Sequence, residues 1–311
     1  MVKKILSISI LIIFGVWVTR YVLQHQGDFQ RLDQVEAVHV VVLALINIVL
    51  VFNNGYFLKT CLAKFDIHLS LSEHFSISNF STFLNYISPF RGGLGFRALY
   101  LKTKHGVDFG RFTSIVAGTT ILYFFITSVL GLLCVVIVYV LFGLLDYVTL
   151  AAFVALFGGF AYFIFFAPTI GATKYSRLNK LLQLIGQWDE LRSDPRLLRR
   201  LVVITINNLL FATALSWIAF KSIGHALNFF VVMYITVVTA LAALVGITPG
   251  AVGILEATML FIGNQLNVSS SDILLVALIN RSSAVIVSTV LAPLSGYILW
   301  GRQRRSLKSM E

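Results

Sequence analysis

Apolar runs of bilayer-crossing length alternate with short polar stretches along nearly the whole chain. A membrane-spanning helix needs about 20 mostly apolar residues. Residues 5–23, 37–58, 112–145, 147–167, 201–220 and 273–300 meet that need. The run 112–145 exceeds one crossing, so it must tilt, kink at Gly131 or project from the membrane. Two further apolar segments are interrupted. The first, over 75–90, is studded with Ser76, Ser78, Asn79, Ser81, Thr82, Asn85 and Ser88. It leads into Pro89-Phe90-Arg91-Gly92-Gly93-Leu94-Gly95. The second, over 229–263, is broken at Thr248-Pro249-Gly250-Ala251-Val252-Gly253. Pro89 and Pro249 lie 160 residues apart. Interrupted backbone at membrane depth survives only where protein or a water-filled cavity satisfies it. Gly/Pro-broken segments at matching places in two halves point to a substrate site between them. Two ordinary kinked helices would give the same pattern.

The charges choose the sides. Basic residues concentrate in the connecting segments before residue 5, around 59–64, 91–111 and 174–200, and after 300. Assigning these to the cytoplasm leaves only Arg20, Arg31, Lys221 and Arg281 of the 24 basic residues elsewhere, in keeping with the positive-inside rule. Both termini are then expected on the cytoplasmic side of the cytoplasmic (inner) membrane. Adding 160 to the runs 37–58 and 112–145 lands on 201–220 and 273–300. The expected fold is therefore all-α and polytopic, with six full spans and two re-entrant hairpins. It forms one membrane domain, 1–311, made of inverted repeats at about 1–145 and 146–311.

Composition agrees with membrane burial. Hydrophobic residues make up 58% and charged residues 12%, with a mean hydropathy of +0.89; soluble domains are about 25% charged. The net charge of +11 lies in the connecting segments, so no nucleic-acid partner is expected. Lys3 and Lys4 precede an apolar run with no small-residue cleavage site after it, which reads as an uncleaved first span. Cys61 and Cys134 show no pairing or metal spacing. The six histidines make no ligand set, and no nucleotide-binding loop or paired acid is present. No cofactor, metal or enzymatic activity is expected.

Two ionisable residues sit deep in apolar surroundings. Glu256 follows the second break, and Arg281 lies within 273–300. Each costs at least about 2.5 kcal/mol at a helix centre, so the pair is expected to share a cavity and partly neutralise each other. Arg281 could also meet a phosphate, which its planar fork suits; a purely structural ion pair is the alternative. Arg91 and Arg97 flank the first glycine cluster, where Gly93 and Gly95 would let backbone N–H groups approach an anion. Asn85 adds a hydrogen-bonding group, or helix–helix glue. Residues 178–191 have leucines at helical spacing with interleaved charges and read as an amphipathic interfacial helix or a packed connector.

The segment Leu84-Asn85-Tyr86-Ile87-Ser88-Pro89, with Arg91-Gly92-Gly93-Leu94-Gly95-Phe96-Arg97 after it, resembles the first motif of a flippase-like family. This family is the lysylphosphatidylglycerol synthase transmembrane region, also called uncharacterised protein family 0104. Thr248-Pro249-Gly250-Ala251-Val252-Gly253-Ile254-Leu255-Glu256 is similar to its Pro-Gly-Gly-x-Gly-x-x-Glu motif, and Arg281 fits the arginine that follows. The chain has Phe96 where the family often has Glu, and Ala251 where it has Gly.

The resemblance implies a lipid translocase. Its substrate would be an anionic membrane lipid or a polyprenyl-phosphate-linked sugar, since stand-alone relatives often accompany glycosyltransferases of envelope assembly. The implied binding residues are Arg281, Glu256, Arg97, Arg91, Pro89, Gly93, Gly95, Pro249, Gly250, Gly253 and Asn85. Synthesis of aminoacyl lipid is not expected, because no stretch is long enough for a separate catalytic domain. The alternative is a non-transporting partner that scaffolds a glycosyltransferase or lipid synthase. The oligomeric state is not legible.

Overall fold

The computed structural model describes residues 30–88, 92–166, 193–242 and 253–308, with positions 27 and 251. These residues form a 3-10 turn, Gln30–Gln34, and nine α-helices, and no strand occurs among them. The helices are α1 (Ala37–Ala63), α2 (Leu71–Ile87), α3 (Gly92–His105), α4 (Phe109–Phe142) and α5 (Tyr147–Phe166). They continue with α6 (Pro195–Ser222), α7 (Phe229–Ala242), α8 (Ile254–Gln265) and α9 (Ser270–Lys308). The chain is all-helical and polytopic, as its apolar pattern predicts. Four helices are long and apolar enough to cross a membrane: α1, α4, α6 and the part of α9 at Ser270–Gly301. They match the runs at 37–58, 112–145, 201–220 and 273–300. The run at 147–167 is α5, a 20-residue helix. The expected span 5–23 and the expected amphipathic helix 178–191 lie outside the described residues.

Local chemistry sets the helix ends. Ser70 accepts the backbone N–H of Glu73 at the start of α2, and Asp108 accepts those of Gly110 and Arg111 at the start of α4. Asp194 does the same for α6, with Pro195 in its first turn. Such caps satisfy donors that the first turn leaves unpaired. At the far end of α4, Gly143 is left-handed (φ 67°) and its N–H reaches Tyr139 O at 2.8 Å.

Two features refine the expected layout. The 34-residue α4 is about 50 Å long, well beyond the ~30 Å hydrocarbon core. It runs through Gly131 as unbroken helix. That glycine makes room for Phe153 of α5, whose ring a Cβ would strike. Residues 92–105, expected as part of a basic connecting stretch, are instead helix α3, packed on α2.

The element lengths recur: long, short, short, long in α1–α4, and again in α6–α9. The contacts recur as well. The last long helix of each set packs on the first short helix of the other, α9 on α2 and α4 on α7, while α1 packs on α6. Two buried apolar clusters result. One gathers Phe153, Phe220, Ile235, Ile262 and Val276, with Cys134; the other gathers Leu62, Ile77, Leu101, Leu122 and Leu201, with Cys61. Polar groups seam the helices together. Asn79 of α2 donates to Ser295 Oγ and Ser288 O of α9, and Asn208 of α6 donates to Asn54 of α1.

Candidate functional site

At the second break, Gly253 (φ 85°) starts α8 in a conformation open to glycine. Its N–H donates to Glu256 Oε2 at 2.7 Å, so Glu256 caps the first turn of its own helix. The other carboxylate oxygen meets Arg281 Nη2 of α9 at 2.7 Å. The expected pairing is present. Glu256 therefore joins two things, the backbone geometry of the break and the position of a cation in a long membrane-spanning helix. Its side chain is 11% exposed and that of Arg281 is 23% exposed, so the arginine is the more accessible partner.

The pair faces a cavity of about 290 Å³ with a largely apolar wall. Six helices contribute. Asn47 comes from α1, Tyr86 from α2, Ser216 from α6, Thr236 and Thr239 from α7, Glu256 and Met259 from α8, and Asn280 and Arg281 from α9. Tyr86 belongs to the last turn of α2, so the helix that precedes the first break also lines this cavity. The polar side chains are mostly engaged. Asn47 donates to Ser283 Oγ at 2.9 Å, and Asn280 donates to Ser216 Oγ at 3.0 Å. Thr236 and Thr239 donate to carbonyls of their own helix. The side-chain oxygen of Asn280 is buried without a hydrogen bond among the described residues. An apolar cleft with a few placed polar groups and one arginine can hold an amphiphile by its anionic group.

The first break is built differently. Asn85 Oδ1 accepts the N–H of Gly93 at 3.0 Å. Gly93 lies against the carbonyl of Ser81, where a Cβ would collide with it. Arg97 reaches back along α2 and donates to Ser81 Oγ at 2.9 Å. Asn85, Gly93 and Arg97 thus clamp α3 onto α2. None of them lines the cavity at Arg281. Gly95 faces open space, so no close approach demands glycine there. Pro89, Arg91, Pro249 and Gly250 lie outside the described residues.

Sequence reasoning missed several residues. It named Glu256 as the one deep acid, but Glu73 (7% exposed) and Asp272 (4%) are buried as well. Glu73 accepts from Tyr100 Oη at 2.7 Å and meets His105 Nε2 at 2.9 Å, tying α2 to α3. Asp272 meets Arg31 at 2.6 Å and His225 at 2.5 Å, at the start of α9. Each acid sits three residues after a capping serine, Ser70 or Ser269, so its first-turn position conceals its burial. Asn47 was findable as an isolated amide in an apolar run. Thr236 and Thr239 carried no such signal.

The helices define a polytopic membrane protein, with the Glu256–Arg281 pair facing a cavity among them. The family model for the lysylphosphatidylglycerol synthase TM region matches residues 4–292, and the chain belongs to that family. No curated protein matches it. Membership places the protein among membrane domains of lipid metabolism or transport.

Proposed function

We propose that the protein moves an anionic phospholipid or a lipid-linked sugar across the cytoplasmic membrane, as a transporter and not an enzyme. The observation that carries this reading is the Glu256–Arg281 pair, which faces a cavity lined by Tyr86 of α2 and by the start of α8. The headgroup enters the cavity while its chains stay in lipid. Its phosphate competes with Glu256 for Arg281. Because Glu256 also caps α8 through Gly253, drawing Arg281 away changes the charge at the start of that helix, where the macrodipole is positive. Binding is thereby coupled to the geometry of the break.

The recurring helix lengths and exchanged contacts support an inverted repeat, with both termini cytoplasmic and the site at the repeat interface. A glycosyltransferase of envelope assembly would be the partner if the cargo is a polyprenyl-phosphate sugar. The scaffold alternative depends on residues 178–191, outside the described residues.

The test is leaflet exchange of fluorescent anionic lipids in liposomes, wild type against Arg281→Ala and Glu256→Gln. Fast exchange in wild type and its loss in Arg281→Ala are expected. Wild-type rates in a correctly inserted Arg281→Ala protein would remove Arg281 from the mechanism.

A further inference from the structure

A second cavity, of about 460 Å³, opens between the end of α1 and the start of α6. It is lined by four cations: Lys59 and Lys64 from the α1 end, and Arg196 and Arg200 from the first turns of α6. Its one acid is Asp194. That carboxylate is already engaged. It accepts the backbone N–H groups of Leu197 and Arg196 at 3.1 and 3.0 Å and meets Lys64 at 3.7 Å. The hydrogen bond from Leu197, with those from Arg196 and Lys64, holds it below the usual carboxylate range. Asp194 thus stays ionised and offsets one cation. Lys59, Arg196 and Arg200 make no ion pair among the described residues.

Ordinary positive-inside residues need not converge. Arg196, Arg199 and Arg200 are all exposed, but Arg199 does not line the cavity. The four lining cations gather around one concavity where Asp194 offsets only one of them, so a further anion is favoured there. The rest of the wall includes Tyr56, Ala63 and Leu197, which present apolar surface beside the charges. Both flanking helices, Ala37–Ala63 and Pro195–Ser222, are of membrane-spanning character. The cavity lies at their ends, where lipid headgroups sit. Arginine forks and lysine point charges together suit a phosphodiester. Basic pockets between transmembrane helices are places where phosphate headgroups bind.

We propose that this cavity is a binding site for the phosphate headgroup of a bilayer lipid, separate from the cavity at Arg281. It holds a resident anionic lipid against α1 and α6, and it does not depend on the transport reading.

The test is native mass spectrometry of the full chain in detergent, titrated with phosphatidylglycerol and, separately, with phosphatidylcholine. The wild type should show a tight phosphatidylglycerol-selective binding event at this cavity, read through the lining variants. Lys59→Gln combined with Arg200→Gln should weaken it by about tenfold, and Arg199→Gln should change it by less than about twofold. Should the double variant fail to fold, Arg196→Gln alone should weaken it by about threefold. Millimolar glycerol 1-phosphate should not displace the lipid. The proposal is overturned by unchanged binding in the lining variants, by an equal loss in Arg199→Gln, or by displacement with glycerol 1-phosphate.

Discussion

The two broken units, α2–α3 and α7–α8, share an outline and differ in chemistry. In the first, Asn85, Arg97 and the buried Glu73, which meets Tyr100, His105 and Lys104, close the hairpin on itself. Asn85 holds Gly93, and Arg97 holds Ser81. In the second, α7 is apolar, and the polar chemistry is condensed into one acid, Glu256, paired with an arginine from another helix. The first unit uses these groups inside the hairpin, while its Asn79 bonds α9. The second turns its polarity toward a cavity. Two units of similar outline can therefore carry a clamp in one and an ion pair facing a cavity in the other.

The largest effect should come from splitting the ion pair. Arg281→Ala leaves a buried carboxylate uncompensated and should cost about 3–5 kcal/mol of stability. The variant combining Glu256→Gln with Arg281→Gln removes both charges and should recover most of that, to within about 1–2 kcal/mol of wild type. Transport should not recover with it. Thermal unfolding and leaflet exchange measured on the same preparations separate the two roles; recovery of both would make the pair purely structural.

Next comes the clamp. Gly93→Ala pushes a methyl group into the Ser81 carbonyl and should destabilise by about 1–3 kcal/mol. Gly95→Ala, in open space on the same helix, should be neutral or stabilising by up to about 1 kcal/mol. Equal losses at both positions, read as shifts in unfolding temperature, would mean that α3 does not pack on α2 as described.

The smallest effect is at Ala251. Its φ of 54° places a non-glycine residue in the left-handed region, at the position where the sequence departs from the family's glycine. Such a residue costs roughly 1–2 kcal/mol. Ala251→Gly should raise thermal stability by about 1 kcal/mol; a loss of stability would show that the alanine methyl makes a needed contact.

Hydropathy and Pro/Gly placement made the long helices and both breaks legible, because a bilayer penalises any other reading of about 20 apolar residues. The Glu256–Arg281 pairing was legible for the same reason, since neither charge can be buried alone. What misled was charge density. Arg97, Lys102 and Lys104 made 92–105 look like a basic connector, yet Arg97 bonds to α2, and Lys104 lies 3.6 Å from the buried Glu73. A kink at Gly131 stood beside tilt and projection as an option because sequence cannot say that Phe153 needs the space. The cavity's threonines were invisible because their hydroxyls bond within their own helix.

The central claim is that the second unit carries the site and the first unit the clamp. The most direct test compares leaflet exchange of anionic lipid in liposomes holding equal amounts of wild type, Arg281→Ala and Arg97→Gln. The account predicts that Arg281→Ala abolishes exchange while folded Arg97→Gln retains most of it. Loss in Arg97→Gln with retention in Arg281→Ala would contradict it and move the site to the first break.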